Sequence, residues 1–328
     1  MRGFTMFLVV FGHVLFFSFD TQTDTIAASF FVTFRMPMFF FISGFIGYKA
    51  IDRWSARFYA QNLRKKLLVQ TVPAFFFYTL FQLSHNSSAL AFLNDGFGGY
   101  WFTFVLLEMF VIYFTVSLIA HHSKDFMLDL LLISIAIFFQ VLSITAFQDT
   151  ALWRIFSLYN LTFYFIFFAM GVLFRRHLPM VTSWLDKRYT QAAIIISFIS
   201  LFYIHHSQPF AVPPHLSYAV YLSCKILALL MIFNFFRFKK DYFNQDNALS
   251  KTMIYVGHRT LDIYLIHFFF LPDLSEYGER LLPSSMVLFQ IIIPALIAAG
   301  IIALCLLCSE LIRSSNVLAH YILGVKRQ

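Results

Sequence analysis

An arginine and a histidine stand eleven positions apart at the beginning of the sequence. On a helix, Arg2 and His13 would lie roughly 16 Å apart along the axis. Eleven residues are close to three full turns, so both side chains point to one face. A histidine in mid-membrane can take a proton from a hydroxyl group, because imidazole titrates near neutral pH. The alternative is a structural histidine bonded to a carbonyl of a neighbouring helix, and the spacing leaves both open.

A proline follows a basic residue in the second apolar segment, RMPMFFFISGF. Pro37 has no backbone N–H and restricts the residue before it, so the segment predicts a helix that is broken or kinked there. Membrane proteins tolerate such breaks where they line a cavity, and Arg35 would then aim its guanidinium into that cavity. Alternatively, Arg35 only marks the outer membrane interface.

Three consecutive basic residues, Arg64, Lys65 and Lys66, precede the third apolar segment. One interpretation is a clamp for the phosphates of an anionic cofactor on the cytoplasmic side. The other is a topology signal, because Lys and Arg collect in cytoplasmic loops. For the group as a whole, the topology signal is the simpler interpretation.

A carboxylate falls inside the fourth apolar segment, where an ionisable side chain is costly and therefore a candidate for function. Glu108 comes seven residues after Trp101. Its carboxylate is expected to pair with Arg35, with His13 or with a tyrosine hydroxyl.

The ninth apolar segment contains GHRTLDIYLIH and is dense in polar groups. Arg259 and Asp262 are three positions apart, so on a helix they could neutralise each other. His267 would lie deeper, toward the outer side of the membrane. Cys305 and Cys308 are interpreted as small apolar side chains, so the sequence predicts no metal site.

The composition indicates the elements that must position these residues. Hydrophobic residues make up 60% of the 328 residues and charged residues only 12%, against about 25% in a soluble domain. This excludes an ordinary cytosolic enzyme, a nucleic-acid module and a disordered chain. The apolar runs are continuous, which favours an all-α polytopic membrane bundle of about ten transmembrane helices over a barrel. The ten runs are approximately 3–19, 30–50, 63–83, 100–120, 126–147, 158–174, 190–203, 216–236, 253–271 and 286–311.

The basic residues alternate between the two sides of these runs. One set of loops carries nearly all Lys and Arg, whereas the opposite set contains only Arg154 and Arg280. Since Lys and Arg mark the cytoplasmic side, the pattern predicts an integral multi-pass protein with both termini in the cytoplasm. The whole chain, 1–328, is expected to form a single transmembrane domain.

Four motifs, spread over nearly the whole chain, carry a resemblance. They are Arg2 with His13, RMPMFFFISGF at 35–45, YWFTFVLLEMF at 100–110 and YVGHRTLDIYLIH at 255–267. With these motifs the sequence resembles the acyltransferase-3 family of integral membrane acyltransferases, in particular its fucose 4-O-acetylase-like branch. Thr260 stands where the family usually has a serine.

The resemblance implies a transmembrane acyltransferase domain that moves an acyl group, usually acetyl, from cytoplasmic acyl-coenzyme A to a sugar hydroxyl. The acceptor would be an envelope glycan or a lipid-linked sugar, and the location the bacterial cytoplasmic (inner) membrane. The expected partners are the acyl-coenzyme A donor, the acceptor and the lipid bilayer, with no nucleic acid. No permanently bound cofactor and no metal are expected.

The resemblance also implies roles for residues. His13 would be the general base or a transient acyl carrier, and Arg2, Arg64, Lys65 and Lys66 would contact the phosphates of coenzyme A. The residues expected to shape the cavity and orient substrates are Arg35, Ser43, Trp101, Glu108, Asp262, Tyr264 and His267.

Two other functions fit the polar residues in mid-membrane. A transporter or flippase of a glycan intermediate would use them too, but the sequence shows none of the repeat symmetry usual in transporters. A haem- or quinone-linked redox protein would use His13 and His267, but it would need a second axial pair or a tight Cys/His cluster.

Overall fold

The computed structural model describes residues 1–20, 26–50, 54–121, 126–145, 150–207, 213–282 and 286–324. Every regular element within these ranges is helical. The α-helices, numbered in chain order, are α1 (Arg2–His13), α2 (Ile26–Gly47), α3 (Ala56–Lys66), α4 (Val72–Ser84), α5 (Phe92–Asp95), α6 (Trp101–His121), α7 (Phe126–Thr145), α8 (Ala151–Ile155), α9 (Leu158–Arg176), α10 (Leu178–Leu185), α11 (Arg188–Ser207), α12 (Pro214–Phe238), α13 (Lys240–Phe243), α14 (Ala248–His258), α15 (Thr260–Ile266), α16 (Gly278–Leu281), α17 (Val287–Arg313) and α18 (Asn316–Leu323). Shorter π-helical turns are Val14–Ser18 and Leu67–Thr71, and 3-10 turns are Gly98–Tyr100, His267–Phe270 and Ser275–Tyr277.

Seven helical segments in the described ranges are long and apolar enough to cross a membrane, which confirms the all-helical membrane architecture. They are Ala28–Gly47, Ala56–Ser84, Gly98–His121, Phe126–Thr145, Leu158–Arg176, His215–Phe238 and Val287–Arg313. The first and ninth predicted spans correspond to shorter apolar helices, Arg2–Ser18 and Thr260–Phe270. The seventh falls in α11, which is outside the set of seven. A count of ten, like the side of the termini, stays a prediction.

The helix is not broken at Pro37, because α2 runs as one helix from Ile26 to Gly47 with Pro37 inside it, whereas a kink there stays a prediction. A proline removes only one backbone donor, the one that would pair with the carbonyl of Thr33. The Thr33 hydroxyl in turn donates to the Ser29 carbonyl at 2.8 Å. In an apolar environment, the loss of one helix hydrogen bond costs less free energy than a break that leaves several backbone groups unpaired.

The third span begins seven residues earlier than the apolar pattern indicates. Ser55 caps α3, since its hydroxyl oxygen accepts the N–H of Phe58 at 3.2 Å. The helix then continues through the π-turn into α4, where Pro73 lacks the N–H that the Val69 carbonyl would need. The three basic residues before the predicted span therefore lie inside a continuous helix, at the end of α3.

The chain divides into two compact units. The first comprises Met1–Phe39 and His177–Leu306, and the second comprises Phe40–Arg176 and Leu307–Gln328. Two of the three boundaries fall inside α2 and α17, and the third lies between α9 and α10. The expectation of a single domain over 1–328 stays a prediction.

In the first unit, α1 crosses α14 at two glycines, and α1 also packs on α15. A Cβ atom on Gly3 would lie 2.1 Å from the carbonyl oxygen of Met253, and one on Gly257 would lie 3.3 Å from the backbone nitrogen of Gly3. Only glycine lets the two backbones approach this closely. The crossing therefore sets how α1 lies along α15.

In the second unit, α6, α7 and α9 pack on one another. A second glycine pair forms where the end of α2 meets α9. A Cβ atom on Gly44 would lie 2.1 Å from the Phe168 carbonyl oxygen, and one on Gly171 would lie 2.1 Å from the Phe41 carbonyl oxygen. Ser43 lies half-buried beside this contact.

Candidate active site

Two histidines from opposite ends of the chain meet in the first unit. His13 Nδ1 lies 2.6 Å from His267 Nε2, and the ring planes are 18° apart with their centroids separated by 4.9 Å. His13 is the last residue of α1 and is followed by a π-turn. His267 is buried at the start of the 3-10 turn after α15. The sequence alone did not indicate that these histidines share a hydrogen bond.

The hydrogen-bond pattern assigns the protons of this pair. His267 Nδ1 lies 2.8 Å from the Tyr264 carbonyl oxygen and 3.0 Å from that of Ile263. A carbonyl only accepts, so Nδ1 of His267 carries a hydrogen and, in the neutral ring, Nε2 is an acceptor. His13 must then donate from Nδ1, which leaves its Nε2 as the unprotonated nitrogen. His267 thus bonds to two carbonyls of the adjoining helix α15, whereas the partner of His13 Nδ1 is a side chain.

Aromatic rings surround His13 within the first unit. Phe268 stacks on it with centroids 5.1 Å apart, and Phe17 meets its ring edge at 5.3 Å. His13 itself is half-buried, so part of its ring remains accessible.

Arg2 is held by the same segment that carries His267. Its Nη2 atom donates to the Thr260 hydroxyl at 2.9 Å, and Thr260 is buried while Arg2 is exposed. Both Arg2 and His13 thus contact the segment 260–267, as two side chains on one helix face can. A serine at position 260 would offer the same hydroxyl.

The other candidate residues of the first unit are on α2 and α15. The guanidinium of Arg35 lies 5.0 Å above the ring of Phe16. Asp262 is buried in the first turn of α15, where a carboxylate interacts favourably with the helix dipole. Tyr264 is buried too, and its backbone carbonyl is the group that touches His267.

The basic cluster lies in the second unit, at the end of α3. Arg64 and Lys65 are exposed, whereas Lys66 is half-buried. The ammonium of Lys66 stands 3.8 Å from the centre of the Phe110 ring, a cation–π contact with α6. The three residues therefore differ in surroundings, although they are adjacent in sequence.

Trp101 and Glu108 are also in the second unit, two turns apart on α6. The Trp101 ring stacks on Tyr164 with centroids 5.8 Å apart. Glu108 Oε2 is buried and has no hydrogen-bond partner among the residues that the structure covers. The predicted pairing of this carboxylate is thus not seen at that atom.

Comparison with family models matches residues 1–310 to the acyltransferase domain of the acyltransferase-3 family. This match covers His13 and His267, Arg2 and Arg35, and the basic cluster 64–66. The chain belongs to the acyltransferase-3 family. Its apolar helices and its family together show an integral membrane acyltransferase, and nothing favours a transporter or flippase. Comparisons with curated proteins and with solved structures gave no match.

The contacts of two residues around the histidines of this acyltransferase could not be predicted from the sequence. Thr260 was noted only as a departure from the family pattern, yet it holds Arg2. Phe268, next in sequence to His267, was not singled out although it stacks on His13. Within the described ranges, no group of three or more His, Cys, Asp or Glu residues could hold a metal ion.

Proposed function

We propose that this acyltransferase moves an acetyl group from acetyl-coenzyme A to a hydroxyl of an envelope glycan or lipid-linked sugar. The protein would lie in the bacterial cytoplasmic membrane, and its reaction would be similar to that of the fucose 4-O-acetylase-like branch. The observation that carries the proposal is the histidine pair, because it leaves Nε2 of His13 unprotonated and oriented.

A sugar hydroxyl needs a base when it attacks a thioester, because it barely ionises near neutral pH. His13 Nε2 would take the hydroxyl proton while the oxygen attacks the thioester carbonyl carbon. The C–S bond then breaks, and the leaving thiolate recovers the proton from His13. During this cycle, His267 accepts the hydrogen bond from Nδ1–H of His13. It thereby stabilises the imidazolium that forms, as the carboxylate does in a serine-protease triad. The same nitrogen would be the attacking atom if His13 were a transient acyl carrier.

The basic residues would bind the donor. Arg64 and Lys65 are exposed at the end of α3 and could reach coenzyme A phosphates, with Lys66 beside them and Arg2 in the first unit. We assign five further polar and aromatic side chains to binding of the acceptor. These are Ser43, Trp101, Glu108, Asp262 and Tyr264.

Replacement of His13 tests this function. Mass spectrometry of envelope glycans should show an acetyl increment in cells that carry the unaltered protein. His13→Ala should abolish the increment, because a positioned base contributes about 10²–10⁴-fold. His215→Ala is the matched control, since that histidine is exposed at the start of α12.

A His13→Ala protein that is made at normal levels and still acetylates at a near-normal rate would show that the base is elsewhere. His267 would then be the next candidate. If the unaltered protein itself produces no acyl increment on any envelope glycan, the proposed acceptor is wrong.

A further inference from the structure

Gly12, the residue before His13, is in direct contact with an arginine from α2. A Cβ atom built on Gly12 would lie 1.8 Å from Nη1 of Arg35 and 2.8 Å from its Cζ atom. No side chain fits at position 12 unless the guanidinium moves. A glycine inside a helix costs roughly 0.5–1 kcal/mol relative to alanine, so its presence in α1 needs a reason. The guanidinium of Arg35 occupies the space that a side chain at position 12 would need.

A second contact holds the guanidinium along α1. Phe16 follows Gly12 by one turn, and the Cζ atom of Arg35 lies 5.0 Å from the centre of its ring. Phe16 belongs to the π-turn that begins directly after His13. Arg35 thus spans Gly12 and Phe16, the two residues that bracket His13 in the chain. Its positive charge acts on His13 electrostatically.

A buried lysine tethers α2 close to the point where Arg35 leaves it. Lys225 of α12 is fully buried, and its ammonium donates to the carbonyl oxygen of Val32 at 3.2 Å. Val32 precedes Arg35 by three residues, so α2 is tied to α12 within one turn of the arginine.

We infer that Arg35 stabilises the oxyanion of the acyl transfer and that Gly12 is the positioning residue that brings its guanidinium beside His13. The inference rests on the proposed function. When the acceptor oxygen attacks the thioester, the electron pair of the C=O bond moves onto the carbonyl oxygen, while the hydroxyl proton goes to His13. The oxyanion needs a donor within reach, and guanidinium N–H groups form strong charge-assisted hydrogen bonds. Collapse restores the C=O bond and expels the thiolate, which takes the proton back.

Gly12→Ala tests this positioning, with Gly300→Ala as the matched control. Gly300 lies on α17, and a Cβ atom there meets nothing within 4 Å. Both variants are purified as the full chain and supplied with acetyl-coenzyme A and a glycan extract from cells that lack the protein. Gly12→Ala should lower kcat by about 10²–10³-fold, the usual effect of losing an oxyanion donor, with a much smaller change in KM. Gly300→Ala should match the unaltered protein.

A double-mutant cycle separates positioning from packing. Arg35→Gln alone should lower kcat to a similar extent, and Gly12→Ala should then add almost nothing on that background. If Gly12→Ala lowers kcat equally with and without Arg35, or not at all, the inference is wrong. If the Gly12→Ala protein does not fold, the Arg35→Ala protein tests the inference instead. Guanidinium ion added at low concentration must then restore part of the kcat of Arg35→Ala. Absence of acetyl transfer by the unaltered protein would refute the proposed function instead.

Discussion

At the scale of single residues, the site is a chain of hydrogen bonds that fixes one tautomer. Two backbone carbonyls hold the proton of His267 on Nδ1, and this makes Nε2 the acceptor for His13. In the proposed mechanism, a neutral imidazole takes the orienting place that a carboxylate has in serine-protease triads. Because no charge is buried for this purpose, the arrangement suits an apolar membrane interior.

Substitution of His267 tests whether it orients His13 through an accepted hydrogen bond. His267→Gln keeps an acceptor oxygen close to the position of Nε2, whereas His267→Leu removes it. We expect His267→Leu to lose a large part of the about 10²–10⁴-fold contribution of the base, and His267→Gln to retain much more activity. The rate of thiol release from acetyl-coenzyme A measures both. Equal activity of the two variants would show that the bond does not orient His13.

Arg2 offers a test on the donor side at the same scale. Thr260→Val removes the hydroxyl that accepts the Arg2 guanidinium, and Thr260→Ser keeps it. If Arg2 contacts coenzyme A, Thr260→Val should raise KM for acetyl-coenzyme A by about tenfold, because a hydrogen bond to a charged group contributes roughly 1.5–3 kcal/mol. Thr260→Ser should behave as the unaltered protein. A lower kcat at unchanged KM would instead place Arg2 in the chemical step.

At the scale of elements, the crossing of α1 and α14 brings the two halves of the site together. The close approach at Gly3 places the beginning of α1 on α14, and α15 begins two residues after α14 ends. The His13 end of α1 then lies beside the His267 end of α15. The distance of 2.6 Å between His13 Nδ1 and His267 Nε2 therefore depends on the helix crossing at Gly3, ten residues before His13.

Gly3→Ala should disrupt this crossing. The added Cβ atom would lie 2.1 Å from a backbone oxygen, which cannot turn aside as a side chain can. We expect a loss of about 1–3 kcal/mol, the usual cost of overpacking, together with reduced activity. Thermal unfolding in detergent measures the stability, and Gly300→Ala is again the control. A Gly3→Ala protein as stable and active as the control would show that the helices can separate at no cost.

At the scale of the whole molecule, the alternation of basic loops predicts both termini in the cytoplasm. The Lys and Arg residues of the chain collect in every second loop between the apolar runs, and this bias sets orientation during insertion. A reporter enzyme that functions in the cytoplasm should therefore be active when it is fused after Gln328. A reporter that functions only in the outer compartment should be inactive there. Fusions after Ser207 and after Arg176 should report opposite sides. A reporter after Gln328 that works only in the outer compartment would contradict the predicted topology.

The sequence by itself determined the class of the protein and most of its candidate site. With 60% hydrophobic residues in continuous runs, no other architecture satisfies the backbone in lipid, so helices followed from composition. The motif residues Arg2, His13 and His267 were also visible, because ionisable groups in apolar runs are rare and costly.

Only the tertiary structure decided how these residues meet. The partner of His13 lies 254 positions away, and no local pattern encodes such a contact. Gly12 is an ordinary small residue in the sequence, and its role depends on an arginine that reaches it from another helix. The continuity of α2 through Pro37 likewise reflects its apolar surroundings rather than local propensity, because propensity is a weak prior that burial overrides. Long-range packing therefore decided the geometry, whereas the covalent chain determined only which groups were there to be arranged.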